Sequence, residues 1–504
     1  MSVDVLVGQA YYLRFDPKLQ AAEQPYAPLG ALYAAAWLRE RGCSVALFDA
    51  MLAESEADWT RALAAARPRV AVIYEDNFNY LTKMCLARMR AAALVMIRAA
   101  RDLAIPVIVA GSDATDHPEI YLGAGATAVI AGEGEITLGE AVDVLLGSTN
   151  VELDLIDGLC LPGGGGALVR TRPREVIRDL EIVPRPAWDL VDVERYRRIW
   201  RRRHGYFSMN VSTTRGCPYH CNWCAKPIYG QRYTARTPEA VAGEIAWLKQ
   251  SYRPDHLWIA DDIFGLKPGW IERFQSELAR LDAAVPFKCL MRADNVTPAV
   301  AAALRQAGCR TVWIGAESGS QRILDAMEKG TRVDQIFTAT RLLQARGIEV
   351  GFFLQFGYPG ETLADIERTL EMVRACAPDD IGISVSYPLP GTRFYERVRA
   401  QLGVKQNWTD SDDLALLYRG TYVPEFYRAL HAAVHAEFRA RRAARALAAG
   451  RLREAAAGAV QAVRLPVLRW RAARLARRTV PGPSPVLIPL LTPEAAAVPS
   501  HDAR

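Results

Sequence analysis

Short apolar runs alternate with helical stretches through the first 130 residues of the chain. The apolar runs cover residues 3–8, 44–48, 70–74, 106–110 and 126–130. Residues 28–41 begin at Pro28 and stop before Gly42, which favours a helix, and residues 82–103 carry apolar side chains at helical spacing. Short apolar strands that alternate with helices predict an α/β domain with a doubly wound parallel sheet. We place this flavodoxin- or Rossmann-like domain at residues 1–148.

Small and polar residues follow three of these predicted strands. In a doubly wound sheet, ligands bind beyond the carboxyl ends of the strands. The loops at those ends carry Glu75, Asp76, Asn77, Gly111, Ser112, Gly132, Glu133 and Gly134. Such loops let backbone N–H groups approach a ligand, but an empty scaffold of this type carries similar loops. The pattern therefore leaves a ligand site and a purely structural role open.

A second alternating pattern runs from about residue 208 to about residue 400. Its strand-like runs are residues 209–213, 256–260, 287–291, 311–314, 350–356 and 381–386, and helices separate them. Six β/α units are fewer than the eight of a closed barrel, so we predict a partial (β/α)6 barrel of the TIM type over residues 204–400. The chemistry of such barrels lies at the carboxyl ends of the strands. Those ends carry Asp261, Asp262, Arg292, Glu317, Ser318, Gln355 and Tyr387.

The remaining segments differ in composition. Residues 149–203 contain four consecutive glycines and an Arg/Pro-rich run, which is typical of a linker. Residues 401–480 are predicted to be helical, with an amphipathic stripe between Phe426 and Phe438. His431 and His435 stand at metal-ligand spacing, but no nearby acid completes a zinc site, so we expect surface or substrate-facing histidines. Residues 481–504 are Pro/Ala-rich, which predicts disorder.

Charge and cysteine usage narrow the class of protein. The net charge is +6, while residues 439–478 hold twelve arginines and one acid. That run fits a solvated Arg/Ala helix, a membrane-surface helix or a lid over an anionic substrate. Nine cysteines do not look like a secreted disulfide framework, no apolar run is long enough for a membrane span, and the N-terminus does not resemble a signal peptide. We therefore expect a cytoplasmic protein, and nothing predicts a nucleic-acid module.

Three cysteines form the most specific motif of the chain. Cys217, Cys221 and Cys224 follow the pattern Cys-x3-Cys-x2-Cys, and the next cysteine is Cys289. Three thiolates at this spacing can bind three irons of a [4Fe–4S] cluster, which normally has four cysteine ligands. The fourth iron would then be open, as the metal in a catalytic site is. The alternatives are buried structural thiols or a zinc site completed by His220 or a distant ligand.

With Trp223 just before the last cysteine, the motif resembles the signature of the radical S-adenosylmethionine (SAM) enzymes. In that family the open iron binds the amino and carboxylate groups of SAM. An electron from a donor such as flavodoxin or ferredoxin then cleaves SAM to a 5′-deoxyadenosyl radical. The resemblance implies SAM contacts from Trp223, Asp261, Asp262, Arg292, Glu317, Ser318 and Gln355, with Gln355 and Tyr387 as candidates on the substrate side. Asp261 and Asp262 also fit a catalytic carboxylate pair or a cap on the next segment.

The domain order resembles that of radical SAM enzymes with an N-terminal cobalamin-binding domain. The resemblance is carried by Pro28-Leu29-Gly30 and by Gly132-Glu133-Gly134-Glu135 before the cysteine motif. It implies that the three polar loops at the strand ends of residues 1–148 contact cobalamin. The usual Asp-x-His-x2-Gly pattern is missing, since no histidine occurs before His117. We therefore expect a residue of the loop at 75–80, or water, below the cobalt, and a cap or surface role for His117.

The resemblance implies three functions. Most members of this class are methyltransferases that methylate an unactivated carbon of a small molecule, a lipid or a natural product. The second candidate is an oxidative cyclase of the anaerobic Mg-protoporphyrin monomethyl ester type, of which the Tyr422-x3-Phe426-Tyr427 region is reminiscent. The third is a non-catalytic sensor that carries a corrinoid or a cluster. The substrate itself cannot be identified from these residues.

Overall fold

The computed structural model of the chain describes residues 2–83, 86–224 and 228–478. Over these residues the chain forms two α/β domains and a helical C-terminal region. The segment 481–504, for which disorder was predicted, lies outside the described residues.

The N-terminal domain is built on a seven-stranded sheet with the order β2-β1-β3-β4-β5-β6-β7. Its strands are β1 Val5–Gly8, β2 Val45–Phe48, β3 Val70–Tyr74, β4 Val107–Ala110, β5 Ala128–Ile130, β6 Leu159–Pro162 and β7 Leu168–Arg170. Its helices are α1 Pro17–Ala22, α2 Leu29–Glu40, α3 Glu56–Ala66, α4 Tyr80–Lys83, α5 Ala87–Arg101, α6 Ser112–Asp116, α7 Pro118–Ala124 and α8 Glu135–Leu145. The first five strands run parallel in a flavodoxin-like order.

Helices cover both faces of this sheet. Leu38 of α2 and Leu138 of α8 lie in the core of one face, and Trp59 of α3 and Met96 of α5 lie in the core of the other. The central strand β3 is buried along its whole length, as its uninterrupted apolar sequence predicts. The predicted doubly wound domain is confirmed.

Two strands of this sheet come from the segment for which a linker was predicted. β6 and β7 pair antiparallel with β5 and with each other. They are only four and three residues long, and the Gly-rich turn between them carries the composition of a linker. Strands this short leave almost no periodicity from which they could be predicted.

The second domain is a six-stranded parallel sheet with the order β15-β14-β13-β12-β11-β8, accompanied by the small ribbon β9-β10. The strands are β8 Ser208–Val211, β9 Thr214–Arg215, β10 Thr234–Ala235, β11 His256–Ile259, β12 Phe287–Met291, β13 Cys309–Glu317, β14 Glu349–Phe356 and β15 Asp380–Val385. The helices are α9 Val193–His204, α10 Pro238–Tyr252, α11 Trp270–Arg280, α12 Pro298–Gln306, α13 Gln321–Ala326, α14 Val333–Gln344, α15 Leu363–Cys376 and α16 Arg393–Val398. The predicted partial barrel of six β/α units is confirmed.

Threonine caps start several barrel helices cleanly. Thr237, Thr297 and Thr362 each accept a hydrogen bond from a backbone N–H in the first turn of α10, α12 and α15. Because the six strands run parallel, the loops at their carboxyl ends all open at the same rim of the barrel.

Two long helices follow the barrel, α17 Pro424–Ala448 and α18 Leu452–Ala476. They form a hairpin in which Glu437 of α17 bonds to Arg374 of α15 and to Arg469 of α18. The predicted helical character of this region is confirmed. Throughout the described part of the chain, no helix has the length and apolarity needed to cross a membrane.

Candidate functional site

The cysteine motif forms a loop that begins directly after β9. Gly216 has φ +73°, and a Cβ at this position would lie 2.3 Å from the carbonyl oxygen of Arg232, so only glycine fits. Cys217 and Cys221 are buried, and Cys224 is partly exposed. Within residues 2–83, 86–224 and 228–478, no three His, Cys, Asp or Glu side chains are arranged to hold one metal ion. In a [4Fe–4S] cluster, by contrast, each cysteine binds a different iron.

Asn222 fixes the middle of the cysteine loop to the barrel. Its backbone N–H donates to the carbonyl of Met327 at 3.0 Å, and its side-chain Nδ2 donates to the carbonyl of Ala326 at 2.8 Å. The Tyr358 hydroxyl donates to Asn222 Oδ1 at 3.1 Å, and the Phe394 N–H donates to the Asn222 carbonyl at 3.0 Å. Every polar group of Asn222 is therefore used, and the loop is held against the segment that follows α13.

Arg292, at the end of β12, lies against the same loop. Its guanidinium binds both carboxylate oxygens of Asp294, at 3.0 and 2.8 Å, and the carbonyl of Lys329 at 2.9 Å. The guanidinium also stacks 3.6 Å from the ring centre of Tyr219, which lies inside the cysteine motif. A positive charge at this place suits thiolates and a carboxylate-bearing ligand.

Lys329 adds a second buried positive charge that the sequence analysis did not identify. Its Nζ lies 3.0 Å from Glu317 Oε1 and 5.8 Å from the centre of the Trp223 ring. Burial by itself would lower the pKa of Lys329, but the negative charges of Glu317 and Cys221 raise it above its ordinary value. Lys329 is therefore charged and close enough to Cys221 to interact electrostatically with it.

Glu317 and Ser318, at the end of β13, have different surroundings. Glu317 adopts φ +57°, which is uncommon for a residue other than glycine, and pairs with Lys329. A Cβ on Gly315 would lie 2.7 Å from Glu317 Oε1, so glycine leaves room for this pair. The Ser318 hydroxyl is buried against the Thr369 hydroxyl of α15 at 3.1 Å. Ser318 therefore stabilises the packing of α15, whereas Glu317 lies beside the cysteine loop.

The two aspartates after β11 separate into two roles. Asp261 is buried and accepts hydrogen bonds from the N–H groups of Thr213 and Thr214, at 2.7 and 3.1 Å, and from the Thr213 hydroxyl. Burial raises the pKa of Asp261 to about 6, although these bonds act against the shift. Asp262 is partly exposed, and its Oδ1 lies 2.5 Å from Lys83 Nζ of the N-terminal domain. Asp261 therefore holds the entry to the cysteine loop, and its bonds go to Thr213 and Thr214 rather than to the next segment of the chain.

Two candidates end the last strands of the barrel. Gln355 Nε2 donates to the Ser386 hydroxyl at 2.9 Å and is buried. Tyr387 is also buried, its ring meets the Trp408 ring edge-on at 4.9 Å, and its hydroxyl accepts from the Trp408 N–H at 3.3 Å. Both residues lie at the barrel rim, and their role on the substrate side stays a prediction.

The indole N–H of Trp223 is buried and has no acceptor among the described residues. A buried donor without a partner destabilises the protein unless a ligand completes it. Together with Cys217, Cys221 and Cys224 and the two cations beside them, it fits a negatively charged cluster and a ligand that carries acceptor atoms. These residues thus fit the [4Fe–4S] cluster and SAM implied by the resemblance.

In the N-terminal domain, polar residues gather where the strand order reverses between β1 and β3. Glu75 Oε1 accepts from the Ala10 N–H at 3.0 Å, and Glu75 Oε2 has no partner among the described residues. Burial raises the pKa of Glu75 to about 8. Asp76 accepts from the Gly30 N–H at 3.1 Å, and the buried Asn77 Oδ1 also lacks a described partner. Buried polar atoms in the crevice at such a switch point fit a ligand with amide groups, as cobalamin has.

The other predicted cobalamin loops pack beside this crevice. A Cβ on Gly111 would lie 2.7 Å from the Cβ of Glu75, so the β4 loop can approach Glu75 only with glycine. The Ser112 hydroxyl donates to the carbonyl of Lys83 at 3.2 Å. Gly132 is at φ +97°, and a Cβ on Gly134 would lie 2.6 Å from the Tyr74 hydroxyl oxygen. His117 lies outside this group, at the start of α7 and 4.0 Å from Glu119.

Glu133 connects the two domains. Arg215 donates to Glu133 Oε1 at 2.5 Å and to Glu135 Oε1 at 2.7 Å, and all three side chains are almost fully buried. The rings of Tyr33, Phe78 and Tyr229 surround the guanidinium at 5.5 to 5.8 Å. Since Arg215 precedes Cys217 by two residues, the cysteine loop is tied directly to the start of α8. No role for Arg215 could be predicted from the sequence, because its partners lie 80 or more residues away along the chain.

The barrel residues match one known protein family. Residues 211–373 match the family described as the radical SAM superfamily. An uncharacterised methyltransferase of Pyrococcus horikoshii is 30% identical over 60% of this chain and 65% of its own length. The anaerobic magnesium-protoporphyrin IX monomethyl ester cyclase of Rubrivivax gelatinosus is 26% identical over 54% of this chain and 49% of its own length. The chain thus spans 65% and 49% of the lengths of these two relatives, less than two thirds of either.

A solved structure shares the arrangement of both domains. The radical SAM methyltransferase TsrM from Kitasatospora setae, with cobalamin and a [4Fe–4S] cluster bound, aligns with a TM-score of 0.65. The alignment covers 80% of this chain and 75% of TsrM at 20% identity. This likeness shows a common fold: a doubly wound domain followed by a partial barrel.

Proposed function

Because this chain carries a radical SAM domain behind a doubly wound N-terminal domain, we propose that it is a cobalamin-dependent radical SAM methyltransferase. Its substrate would be an unactivated carbon of a small molecule, a lipid or another natural product. When bound, the [4Fe–4S] cluster, SAM and cobalamin supply the radical and the methyl group. The protein holds these groups and the substrate in register and keeps water away.

One observation carries the proposal: a loop with three cysteines is fixed at the barrel rim beside two buried cations. The motif itself has no fourth cysteine. Asn222 holds the middle of this loop. Arg292 and Lys329 lie next to it and offset the negative charge of thiolates. A loop that only buried structural thiols would need neither cation.

The remaining residues of the rim orient SAM in this proposal. Asp262 is the carboxylate suited to an ammonium group, since the oxygens of Asp261 already accept bonds from Thr213 and Thr214. Arg292 suits the SAM carboxylate as a nearby positive charge, since its paired donors already bind Asp294. The Trp223 N–H is available to an acceptor on SAM or the cluster.

Cobalamin would lie in the crevice between β1 and β3, with Glu75 and Asn77 below it. At neutral pH the buried Glu75 carboxyl is protonated, because its pKa is raised to about 8. It can therefore donate a hydrogen bond from Oε2, which has no partner among the described residues. This supports the expectation of a loop residue or water below the cobalt rather than a histidine.

Methyl transfer is favoured over oxidative cyclisation. The relative from Pyrococcus horikoshii is a methyltransferase by description and shares more identity and more length with this chain than the cyclase does. TsrM is also described as a methyltransferase. A sensor would bind the cluster or the corrinoid without forming a radical. The paired cations and carboxylates beside the cysteines favour an enzyme over a sensor.

We propose three further features of its biology. A small reductant such as flavodoxin or ferredoxin supplies the electron, the Arg-rich helices meet a membrane surface, and the protein works in a reducing cytoplasm.

The direct test is anaerobic incubation of the reconstituted holoenzyme with reductant, methyl-labelled SAM and candidate substrates. The proposal predicts that 5′-deoxyadenosine and S-adenosylhomocysteine both accumulate and that the label enters the substrate. 5′-Deoxyadenosine without S-adenosylhomocysteine would favour the cyclase. If neither product forms while the cluster and corrinoid are bound, the protein is a sensor.

A further inference from the structure

Helix α18 packs against the rest of the molecule along one face only. Ala472 and Leu475 are buried on this face. A Cβ on Gly458 would lie 2.5 Å from the Cβ of Ala443 in α17, so the two helices cross closely there. Arg469 reaches from the edge of this face to Glu437 at 2.7 Å.

The opposite face of α18 is apolar and exposed. It consists of Leu452 (69% exposed), Val460 (63%), Val463 (80%), Val467 (66%) and Trp470 (61%). Steps of three and four residues place the last four side chains in one stripe. From Leu452 to Trp470 the stripe is about 27 Å long at 1.5 Å per residue. We call these five residues the outer stripe. A solvated Arg/Ala helix would carry charge here instead.

Arginines border the outer stripe. Arg464 and Arg471 each follow a stripe valine by four residues, so they lie along its edge. Arg474 stands 5.5 Å from the ring centre of Trp470. Residues 439–478, with twelve arginines and one acid, carry more net positive charge than the +6 of the whole chain. The rest of the chain is therefore net acidic. Positive charge is therefore concentrated on these two helices.

We propose that the outer stripe of α18 binds the surface of an anionic lipid bilayer. An apolar face with tryptophan, bordered by arginines, is the pattern of helices that lie in the plane of a membrane interface. The valines and Trp470 would enter the boundary between headgroups and acyl chains, and the arginines would contact lipid phosphates. A second copy of the chain fits less well, because a stripe-to-stripe dimer would bring the bordering arginines of both copies together. The inference does not depend on the reaction that the barrel catalyses.

The test is flotation of the full-length holoprotein with vesicles of phosphatidylcholine, with or without phosphatidylglycerol. We expect binding to the anionic vesicles that weakens as salt is raised. The double variant Val463→Asp/Val467→Asp should bind at least about tenfold more weakly, since two charges would have to enter the apolar layer. Arg464→Glu/Arg471→Glu should also lose about tenfold or more, because each arginine near an anionic surface contributes about fivefold.

Matched controls separate the stripe from general effects. Leu155→Asp removes an equally exposed apolar side chain of the N-terminal domain (72% exposed) and should leave binding unchanged. Arg305→Glu/Arg310→Glu changes the net charge equally on exposed residues of the barrel and should have little effect.

Three results would overturn the proposal. The first is equal recovery of wild type and Val463→Asp/Val467→Asp with anionic vesicles. The second is wild-type protein that ignores vesicles and forms a dimer that the stripe variant abolishes, which would assign the stripe to a second copy. The third is binding that begins only after residues 479–504 are removed, which would assign the stripe to the chain's own C-terminus.

Discussion

At the scale of single residues, Asn222 is the anchor of the cysteine loop. We expect Asn222→Ala to remove the side-chain bonds to the Ala326 carbonyl and the Tyr358 hydroxyl, which would keep only the 2.8 Å bond that this hydroxyl donates to this carbonyl. The free energy of unfolding should fall by about 1–3 kcal/mol. Reconstituted protein should hold less iron, because the loop would no longer present its cysteines in one geometry.

The measurements are iron and sulfide per chain and chemical denaturation of the same preparation. Tyr358→Phe is the matched control, since it removes the hydroxyl that bonds to Asn222 and to the Ala326 carbonyl but keeps the Asn222–Ala326 bond. It should have the smaller effect on both quantities. Full iron content in Asn222→Ala would show that the loop does not need this anchor.

A second residue-scale prediction concerns pH. Glu361 is fully buried, its Oε2 accepts from the Gly357 N–H at 2.6 Å, and Oε1 has no partner among the described residues. Burial raises the pKa of Glu361 from 4.5 to about 8. The folded state therefore keeps a proton that the unfolded state loses. The stability contributed by this proton is complete below pH 4.5 and is lost as the pH rises towards about 8.

Glu361→Gln keeps the shape of the side chain and cannot titrate. The difference in unfolding free energy between wild type and this variant should change by up to about 1.4 kcal/mol per pH unit between about pH 5 and about pH 8, to the disadvantage of wild type at higher pH. Urea denaturation over this range measures the difference. A difference that stays constant with pH would mean that Glu361 is ionised in the folded protein.

At the scale of elements, Arg215 joins the cysteine loop to helix α8. Arg215→Met would leave Glu133 and Glu135 buried without their cation, and breaking a buried pair in this way destabilises proteins by about 3–5 kcal/mol. Addition of Glu133→Gln and Glu135→Gln to Arg215→Met should recover part of the loss, because no buried charge then remains unpaired.

The measurement is chemical denaturation of four variants: Arg215→Met alone, Arg215→Met with Glu133→Gln, Arg215→Met with Glu135→Gln, and all three substitutions together. Arg172→Met is the control, since Arg172 forms a similar two-bond pair with Asp157 at the surface and should matter little. If Arg172→Met and Arg215→Met had equal effects, the pair between the domains would not stabilise the protein more than a surface pair does.

Some helices and strands could be predicted from the sequence, and others could not. The helix α2 could be predicted from Pro28 at its start and Gly42 after its end, and the strand β14 from its nearly continuous apolar run. β6 and β7 could not, since strands of four and three residues beside a Gly-rich turn show no period. Sheet membership of such strands is decided by pairing with β5, which is a tertiary contact.

At the scale of the whole molecule, site features contained in one short segment could be predicted from the sequence, whereas those that join distant segments could not. The cysteine motif is contained in eight consecutive residues, so its spacing alone predicts the chemistry. Lys329 and Arg215 reach the site through partners that are distant in sequence, and no local pattern marks either residue. Asp261 and Asp262 are adjacent, yet only the fold shows that one binds Thr213 and Thr214 and the other faces Lys83.

The central claim is that Cys217, Cys221 and Cys224 hold a cluster with one iron left open for SAM. Electron paramagnetic resonance of the reduced, reconstituted protein before and after addition of SAM tests it most directly. The account predicts a [4Fe–4S] signal that changes when SAM is added and that is lost in variants of any of the three cysteines but kept in Cys43→Ala. A signal that SAM leaves unchanged, or tightly bound zinc in place of iron, would contradict it.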